Sequence, residues 1–384
     1  MKYLPSITSP SDPPSGLARG LSWFAVVAMV LAVGALIDGV WFLEDSVIHE
    51  TSIQPEKDIE QEWVAQRALL VGADMGSTRA EMARAIGHRP VFEKLHPRLP
   101  GGLLVNAWVA VFPRGWVSAT ALVALAVGVA WMFDLSERLS RRRIPLVIVA
   151  LYLTSHPFVT LIDHRATVWV SALLVFGGWL ALRRNDFWGG ALLALAAALR
   201  PWAGLCILYL VLRRRWRAAA VAGGGFILLN LVALALPNIS IVGSIASLST
   251  PTEMLTHTDN ESLVGGLALA GLPMGVALGA AAVLILACLA WSLRLSFDRG
   301  FGVVLAVATL AAPTVWGHYW VVLVPLVSGH PLGGLALATI WYLGHMGPGA
   351  THLAGALGAI FAALMWARYS RVDDRAADSV AASV

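Results

Sequence analysis

Long apolar runs separated by short polar segments dominate the chain from residue 21 to residue 367. Runs of about 18 or more apolar residues recur along this length, and each can cross roughly 30 Å of hydrocarbon as a helix. The runs are continuous and lack the two-residue alternation of a membrane barrel, so their backbone hydrogen bonds must close within helices. The pattern predicts an all-α polytopic membrane protein.

Prolines and polar breaks divide these runs into about twelve predicted membrane spans. Pro201, Pro313 and Pro331 interrupt stretches that would otherwise read as single helices. The predicted spans are residues 21–43, 116–134, 144–162, 165–182, 187–199, 201–212, 218–237, 272–293, 300–315, 318–328, 332–346 and 349–367. Residues 1–20 are rich in proline and serine, which predicts a disordered cytoplasmic tail, and residues 368–384 are predicted to form a C-terminal cytoplasmic tail.

The largest polar segment is the loop from residue 44 to residue 114, which follows the first span. Arg79–Ala85 has the composition of a short surface helix. Residues 101–112 are apolar but too short to cross, so we expect them to lie at the interface or to pack on the bundle. A chain with one such loop is expected to have its chemistry or its partner there.

Clusters of arginine fall in every second loop between the predicted spans. These loops are cytoplasmic by the positive-inside rule. The clusters are Arg141–Arg143, Arg183 with Arg184, Arg213–Arg215 with Arg217, Arg294 with Arg299, and Arg368 with Arg371. Asp58 and nearly all titratable residues outside the clusters then share the extracytoplasmic face.

Composition agrees with this class and excludes others. The chain is 58% hydrophobic and 13% charged, with a mean hydropathy of +0.73, which no soluble domain of this length shows. The pI near 9.3 reflects the arginine clusters that set topology, so we expect no nucleic-acid partner. Cys206 and Cys288 lie within apolar runs, which favours two buried thiols over a disulfide.

Asp58 is the carboxylate of most interest in the polar loop, close to the outer end of the first span. In a partly dehydrated cleft, a carboxylate here could act as a general base on an acceptor hydroxyl. The alternatives are a solvated acid without chemistry, or a base supplied by Glu60 or Glu62 instead. The sequence leaves the three carboxylates open.

Two later strings place polar residues beside aromatic ones. Arg200-Pro201-Trp202 interrupts an apolar run, where a guanidinium either snorkels to the interface or binds a phosphate. The string Pro313–Trp320 has three aromatic residues around His318. An interfacial belt explains the aromatic residues, whereas His318 suggests a phosphate contact or a partner of the base.

The segment from His257 to Ser262 is the remaining polar string on the outer side. Asn260-Glu261-Ser262 fits a glycosylation sequon, as does Asn238-Ile239-Ser240, and both can equally be solvated loop residues. His257, Asp259 and Glu261 match no standard metal-ligand spacing, so we expect no metal site.

Taken together, these strings resemble the family 87 glycosyltransferases, membrane enzymes of the GT-C fold class. The resemblance rests on Asp58 after the first span, Arg200-Pro201-Trp202, Asn260-Glu261-Ser262 and the string from Pro313 to Tyr319. Glu261 departs from the family pattern, in which glutamine is common, and Ala312 stands where a serine is common.

The resemblance implies a GT-C catalytic domain over residues 21–367 with the base in the loop 44–114. It implies Asp58 and His318 as catalytic residues, and no cofactor or metal. It also implies substrate-binding roles for a further set of residues, namely Arg200, His257, Asn260, Ser262, Trp316 and Tyr319.

The family implies a polyprenyl-phosphate sugar as donor and a glycolipid as acceptor, both held in membrane lipid at the outer face of the plasma membrane. Mannose transfer to phosphatidylinositol mannosides or lipomannan, with inversion, is the expected reaction. Decaprenyl-phosphoryl arabinose is the alternative donor. A transporter or flippase is the alternative from another class, although few acids lie within the spans and no repeat is evident.

Overall fold

The computed structural model describes residues 16–48, 58–74, 77–87, 99–113, 116–239, 242, 255, 257, 260–312, 315–327 and 330–369. Throughout these ranges the chain is helical, with short turns between the helices and no strand. The all-α prediction is therefore confirmed for the described part of the chain. The predicted tails lie mostly outside it, in residues 1–15 and 370–384.

The α-helices are numbered here in chain order. The first half contains α1 (Gly16–Ile48), α2 (Asp58–Leu70), α3 (Arg79–Ala85), α4 (Pro100–Asn106), α5 (Val117–Ser140), α6 (Leu146–Leu153), α7 (His156–Asp163), α8 (Val168–Leu182) and α9 (Asp186–Leu199). The second half contains α10 (Gly204–Leu212), α11 (Trp216–Leu234), α12 (Leu263–Leu269), α13 (Met274–Ser292), α14 (Phe297–Leu310), α15 (Val324–Val327), α16 (Pro331–Tyr342) and α17 (Pro348–Tyr369). Short 3-10 helices include Pro201–Ala203 and Gly317–Leu323.

Within the described residues, five helices are long and apolar enough to cross a membrane, and a sixth span is possible if the bent pair α6 and α7 counts as one. Five further apolar helices are 10–17 residues long. The predicted number of about twelve spans is therefore not confirmed. The protein is nevertheless a multi-pass membrane protein by the length and composition of these helices.

The predicted span 144–162 is broken rather than continuous. α6 and α7 meet at an angle of 62°, at Thr154 and Ser155. The carbonyl of Thr154 accepts a hydrogen bond from Nε2 of His345 at 3.2 Å, and the Thr154 hydroxyl contacts the Tyr342 hydroxyl. Polar side chains from the end of α16 and from the segment after it thus satisfy the groups that the break exposes, as hydrocarbon requires.

Three helices run between the same two polar ends of the fold. α8 begins after Thr167 and ends before Arg183. α9 begins after Asn185 and ends before Arg200. α14 has Asp298 in its first turn and leads towards Val315. Thr167, Arg200 and Val315 therefore converge at one end. Arg183 and Asp298 mark the other, which carries the arginine clusters.

Arginines at the cluster end bind the carbonyls of neighbouring helices. Arg213 donates to Leu293 and Leu295 after α13, at 3.1 and 3.0 Å, and Arg183 donates to Leu139 near the end of α5 at 3.0 Å. Because the last carbonyls of a helix lack partners within it, a cation placed there stabilises the helix end. The clusters thus hold the bundle together as well as predicting its orientation.

The loop 44–114 contains the surface helix that its sequence predicts. α3 begins at Thr78 with a capping box, in which Thr78 and Glu81 exchange hydrogen bonds. The hydrogen bonds from the backbone and side chain of Thr78 lower the pKa of the Glu81 carboxyl.

The apolar segment 101–112 of this loop packs on the bundle, one of its two predicted positions. Gly101 donates to the Asn230 side chain of α11 at 3.1 Å. At Gly102 an added Cβ would lie 2.6 Å from the Ala198 carbonyl oxygen of α9. This close helix contact holds the loop against the bundle.

Because the two polar ends face opposite sides of the membrane in this topology, cysteines placed at one exposed position on each side are expected to differ in their labelling. Arg84 of α3 and Arg184 after α8 are both exposed and lie on opposite sides of the membrane in this topology. With Cys206 and Cys288 replaced by alanine, we expect Arg84→Cys to react with a membrane-impermeant maleimide on intact cells. We expect Arg184→Cys to react only after permeabilisation, and labelling of both in intact cells would contradict the topology.

Candidate active site

A carboxylate and an imidazole from distant parts of the chain meet at the end of the fold away from the arginine clusters. Asp58 is the first residue of α2, and its Oδ2 lies 3.8 Å from Nε2 of His318. The Asp58 side chain is 31% exposed, whereas that of His318 is 4% exposed. The distance is longer than a hydrogen bond but close enough for charge pairing when the imidazole is protonated. A carboxylate that reaches solvent is thus backed by a buried imidazole.

The backbone of Asp58 is also fixed. Its N–H donates to the carbonyl of His164, at the end of α7, at 2.7 Å. The next residue, Arg165, is buried and its Nη2 lies 2.5 Å from Oδ2 of Asp38 in α1. α1, α7 and the start of α2 are therefore tied together by polar contacts beside the carboxylate.

Of the three carboxylates that the sequence left open, Asp58 is the one against His318. Glu62 lies one turn further along α2, is fully buried and accepts from Nδ2 of Asn106 at 3.2 Å. Glu60 is partly exposed on the same helix. The helical spacing separates the three side chains into different surroundings.

Arg200 is buried rather than snorkelling to the interface. Its guanidinium carbon lies 5.2 Å from the centre of the Tyr319 ring, and its Nη2 donates to Oγ1 of Thr167 at 3.2 Å. The Tyr319 ring in turn lies 5.0 Å from that of His318. A desolvated cation thus stacks on the residue next to His318, where it can attract an anion strongly.

Asn260 and Ser262, predicted to bind substrate, form hydrogen bonds with the backbone. Oδ1 of Asn260 accepts from the N–H groups of Val315 at 2.9 Å and Ser262 at 3.3 Å. Oγ of Ser262 accepts from Gly265 at 2.9 Å and caps α12. Because Asn260 is fully buried, the sequon interpretation is wrong there, since a glycan needs an exposed amide. Ser240 of the second sequon lies outside the described residues.

His257 and Trp316 are the remaining predicted substrate-binding residues. Their rings lie 5.6 Å apart in an edge-on arrangement, and both side chains are partly exposed. Asp259, the third member of the metal pattern weighed from the sequence, lies outside the described residues. Among the residues that the structure describes, no three His, Cys, Asp or Glu side chains form a group suited to a metal ion.

The sequence analysis missed the role of Glu261. Its carboxylate is buried, with Oε1 3.0 Å from Nε2 of His156 and Oε2 2.5 Å from the indole nitrogen of Trp320. Within the polar string 257–262, Glu261 stands out only as an acid where the family commonly has glutamine, and nothing local indicates that its carboxylate is buried. The partners themselves are 105 and 59 residues away along the chain.

Comparisons with known proteins relate the chain to a family of glycosyltransferases. A model of glycosyltransferase family 87 matches residues 100–325, more than half of the chain. The match includes Arg200 and His318 and begins after Asp58.

A similar curated protein is the polyprenol-phosphate-mannose-dependent alpha-(1-2)-phosphatidylinositol pentamannoside mannosyltransferase of Mycolicibacterium smegmatis. The two are 28% identical over 261 residues, covering 62% of this chain and 58% of the relative. The match thus spans less than two thirds of the relative's length. No solved structure matches the chain.

Gly317 provides a test of the packing behind His318. An added Cβ would lie 2.6 Å from Nε2 of His156 and 2.8 Å from Oε1 of Glu261. We expect Gly317→Ala to lower the unfolding temperature in detergent, by the equivalent of about 1–3 kcal/mol, because His156 and Glu261 must shift. Gly349→Ala, where a Cβ meets no atom within 4 Å, is the control, and equal melting of the two variants would contradict this packing.

Proposed function

Since the chain belongs to glycosyltransferase family 87, we propose that it is a membrane mannosyltransferase whose donor is polyprenyl-phosphate mannose. The proposed acceptor is a glycolipid of the phosphatidylinositol mannoside or lipomannan type, at the outer face of the plasma membrane. The single observation that carries the proposal is the pairing of Asp58 with the buried His318, 3.8 Å apart. A family of this activity requires a base at the membrane surface, and this pair supplies one.

The choice of mannose rests on the relative from Mycolicibacterium smegmatis, whose name states its dependence on polyprenol-phosphate mannose. A donor and an acceptor that both carry lipid chains would enter the site from the bilayer. The half-buried ring of Trp316, beside His257, offers a face on which a sugar can stack. Decaprenyl-phosphoryl arabinose is the alternative donor.

In the proposed reaction, the Asp58 carboxylate takes the proton of the acceptor hydroxyl. The acceptor oxygen forms a bond to the anomeric carbon as the bond between that carbon and the phosphate oxygen breaks, and the electron pair leaves with the polyprenyl phosphate. The configuration inverts, without a covalent enzyme intermediate. His318 orients the carboxylate towards the acceptor.

The departing phosphate is an anion and gains from fixed positive charge in a site that excludes water. Arg200 meets this need, since it is buried and stacked on Tyr319, the neighbour of His318. Arginine suits a phosphate because its planar donors match the oxygens. Our proposal assigns phosphate recognition to Arg200, assisted by His318.

Transport is the second candidate, and the 62° bend between α6 and α7 favours it. Broken helices line the substrate sites of many transporters. Here, however, the polar groups at the break bind one another through His345 and Tyr342.

The proposal predicts transfer by the purified protein in lipid. Offered radiolabelled polyprenyl-phosphate mannose and phosphatidylinositol mannosides, the wild type is expected to produce a glycolipid extended by one mannose. The arabinose donor is the parallel arm of the experiment. A product formed only with the arabinose donor would show that the donor is decaprenyl-phosphoryl arabinose rather than polyprenyl-phosphate mannose. Lack of transfer from both donors would leave transport as the better interpretation.

We expect different outcomes when each of the three carboxylates of α2 is replaced by the corresponding amide. We expect Asp58→Asn to fold normally and to lose transfer by about 1,000-fold or more, because an amide cannot accept the proton. His318→Ala should retain part of the turnover. Glu60→Gln and Glu62→Gln are the matched controls on the same helix, and a larger loss in either than in Asp58→Asn would move the base to that residue.

A further inference from the structure

We propose that Glu261 and His156 are positioning residues that hold His318 against Asp58. This inference rests on the proposed function, and it concerns the buried Glu261 and the partly buried His156, which lie behind the loop bearing His318. Neither residue need touch a substrate. Their effect passes through the backbone of residues 315–320.

The segment before His318 is fixed at Val315 by two hydrogen bonds. The Val315 N–H donates to Oδ1 of Asn260 at 2.9 Å, and its carbonyl accepts from the Glu261 N–H at 2.6 Å. The backbone N–H and carbonyl of Val315 are thus bound by the consecutive residues Asn260 and Glu261. Val315 cannot shift without breaking one of these bonds.

The segment after His318 is fixed at Trp320 by the carboxylate of the same Glu261. The indole nitrogen of Trp320 donates to Oε2 at 2.5 Å, and the Trp320 side chain is fully buried. An added Cβ at Gly355 of α17 would lie 2.4 Å from the Trp320 ring, so the ring is also packed tightly. His318 therefore sits between two anchors that share Glu261.

His156 completes the support from the other side of the carboxylate. Its Nε2 lies 3.0 Å from Oε1 of Glu261. Cβ atoms added at Gly317 or Gly344 would come within 2.6 and 2.8 Å of the His156 side chain. The imidazole is therefore wedged between two backbone segments, one of which immediately precedes His318.

These contacts matter because a small displacement of His318 would change its distance from Asp58. Its 3.8 Å separation is already beyond hydrogen-bond length, and a displacement of about 1 Å from a productive geometry can cost on the order of 100-fold in rate. A buried carboxylate that keeps both its oxygens bonded is stiff, since breaking either bond leaves a charge without a partner. Glu261 and His156 can thus set the distance on which the base depends.

Asp298 offers a matched control at the opposite end of the fold. It is also a buried carboxylate, it accepts from the indole nitrogen of Trp179 at 2.6 Å, and it pairs with Arg183 at 3.2 Å. Asp298 is the second residue of α14, and the 12 helical residues that follow it, which rise about 18 Å, separate it from the segment before Val315. Loss of its carboxylate should weaken the fold without moving His318.

The first test is a double-mutant cycle on transfer in lipid. We expect Glu261→Ala to lower kcat by about 10- to 100-fold with the donor KM within about twofold, and Glu261→Gln to restore most turnover. Gln can accept from Trp320 and donate to the other tautomer of His156. Combined with His318→Ala, Glu261→Ala should add no further loss, whereas Asp298→Ala should leave kcat within about twofold in either background.

Losses from Glu261→Ala and His318→Ala that multiply would overturn the proposal. Trp320→Phe, which removes one indole N–H, replaces Glu261→Ala in the cycle should that variant not fold.

The second test separates this inference from the proposed function, because it needs no turnover. The protein labelled with ¹⁵N-histidine has ten histidines, and His318→Ala identifies the His318 imidazole signals. We expect Glu261→Ala or Trp320→Phe to move them and Asp298→Ala to leave them unchanged. Unchanged signals in the first two variants would overturn the positioning role. If the wild type transfers neither sugar but the signals move as expected, the proposed function fails and the positioning role stands.

Discussion

In hydrocarbon an unpaired backbone amide or carbonyl costs several kcal/mol, and this cost governs each place where the helices of this protein end or break. At the break between α6 and α7, His345 donates to the carbonyl of Thr154. At the arginine-rich end, Arg213 donates to carbonyls after α13. At the other end, Asn260 accepts from the backbone of Val315. At these three places, polar side chains thus bind backbone groups that the helices alone leave unsatisfied.

The candidate active site grows out of the same requirement. The chain between α14 and α15 is not α-helical from residue 315 to residue 323, and its polar groups need partners from elsewhere in the fold. The segment from Asn260 to Ser262 supplies them, and in doing so it fixes the residues on both sides of His318. A loop that must be held for the sake of stability is also a loop that can hold a reactive group accurately. The two polar ends of the fold differ in this respect, since the arginine-rich end binds helix ends and the other end leaves Asp58 open to solvent.

Some residues of the candidate site stand out in the sequence, and others do not. Asp58 and His318 are conspicuous because they are polar residues beside long apolar runs, and Arg200 is conspicuous because it interrupts one. Asn260, by contrast, reads as an exposed sequon but is fully buried. Glu261 shows in the sequence only as an acid without a partner, because His156 and Trp320 are brought to it by α7 and by the 3-10 helix after Trp316. A pattern along the chain reports polarity, but it does not report which distant group satisfies it.

The sequence by itself determined that this protein is an all-α multi-pass membrane protein, because the length and continuity of apolar runs are local properties of the chain. It also predicted which end of the bundle is cytoplasmic, because arginine clusters recur in alternate loops. It also carried the resemblance to a family, through Asp58 and strings of three to seven residues. Only the tertiary structure decided that Asp58, rather than Glu60 or Glu62, lies against His318, that Arg200 is buried, and that α6 and α7 form a broken helix. Those outcomes depend on contacts between segments about 100 to 260 residues apart, which helix packing sets and local composition does not.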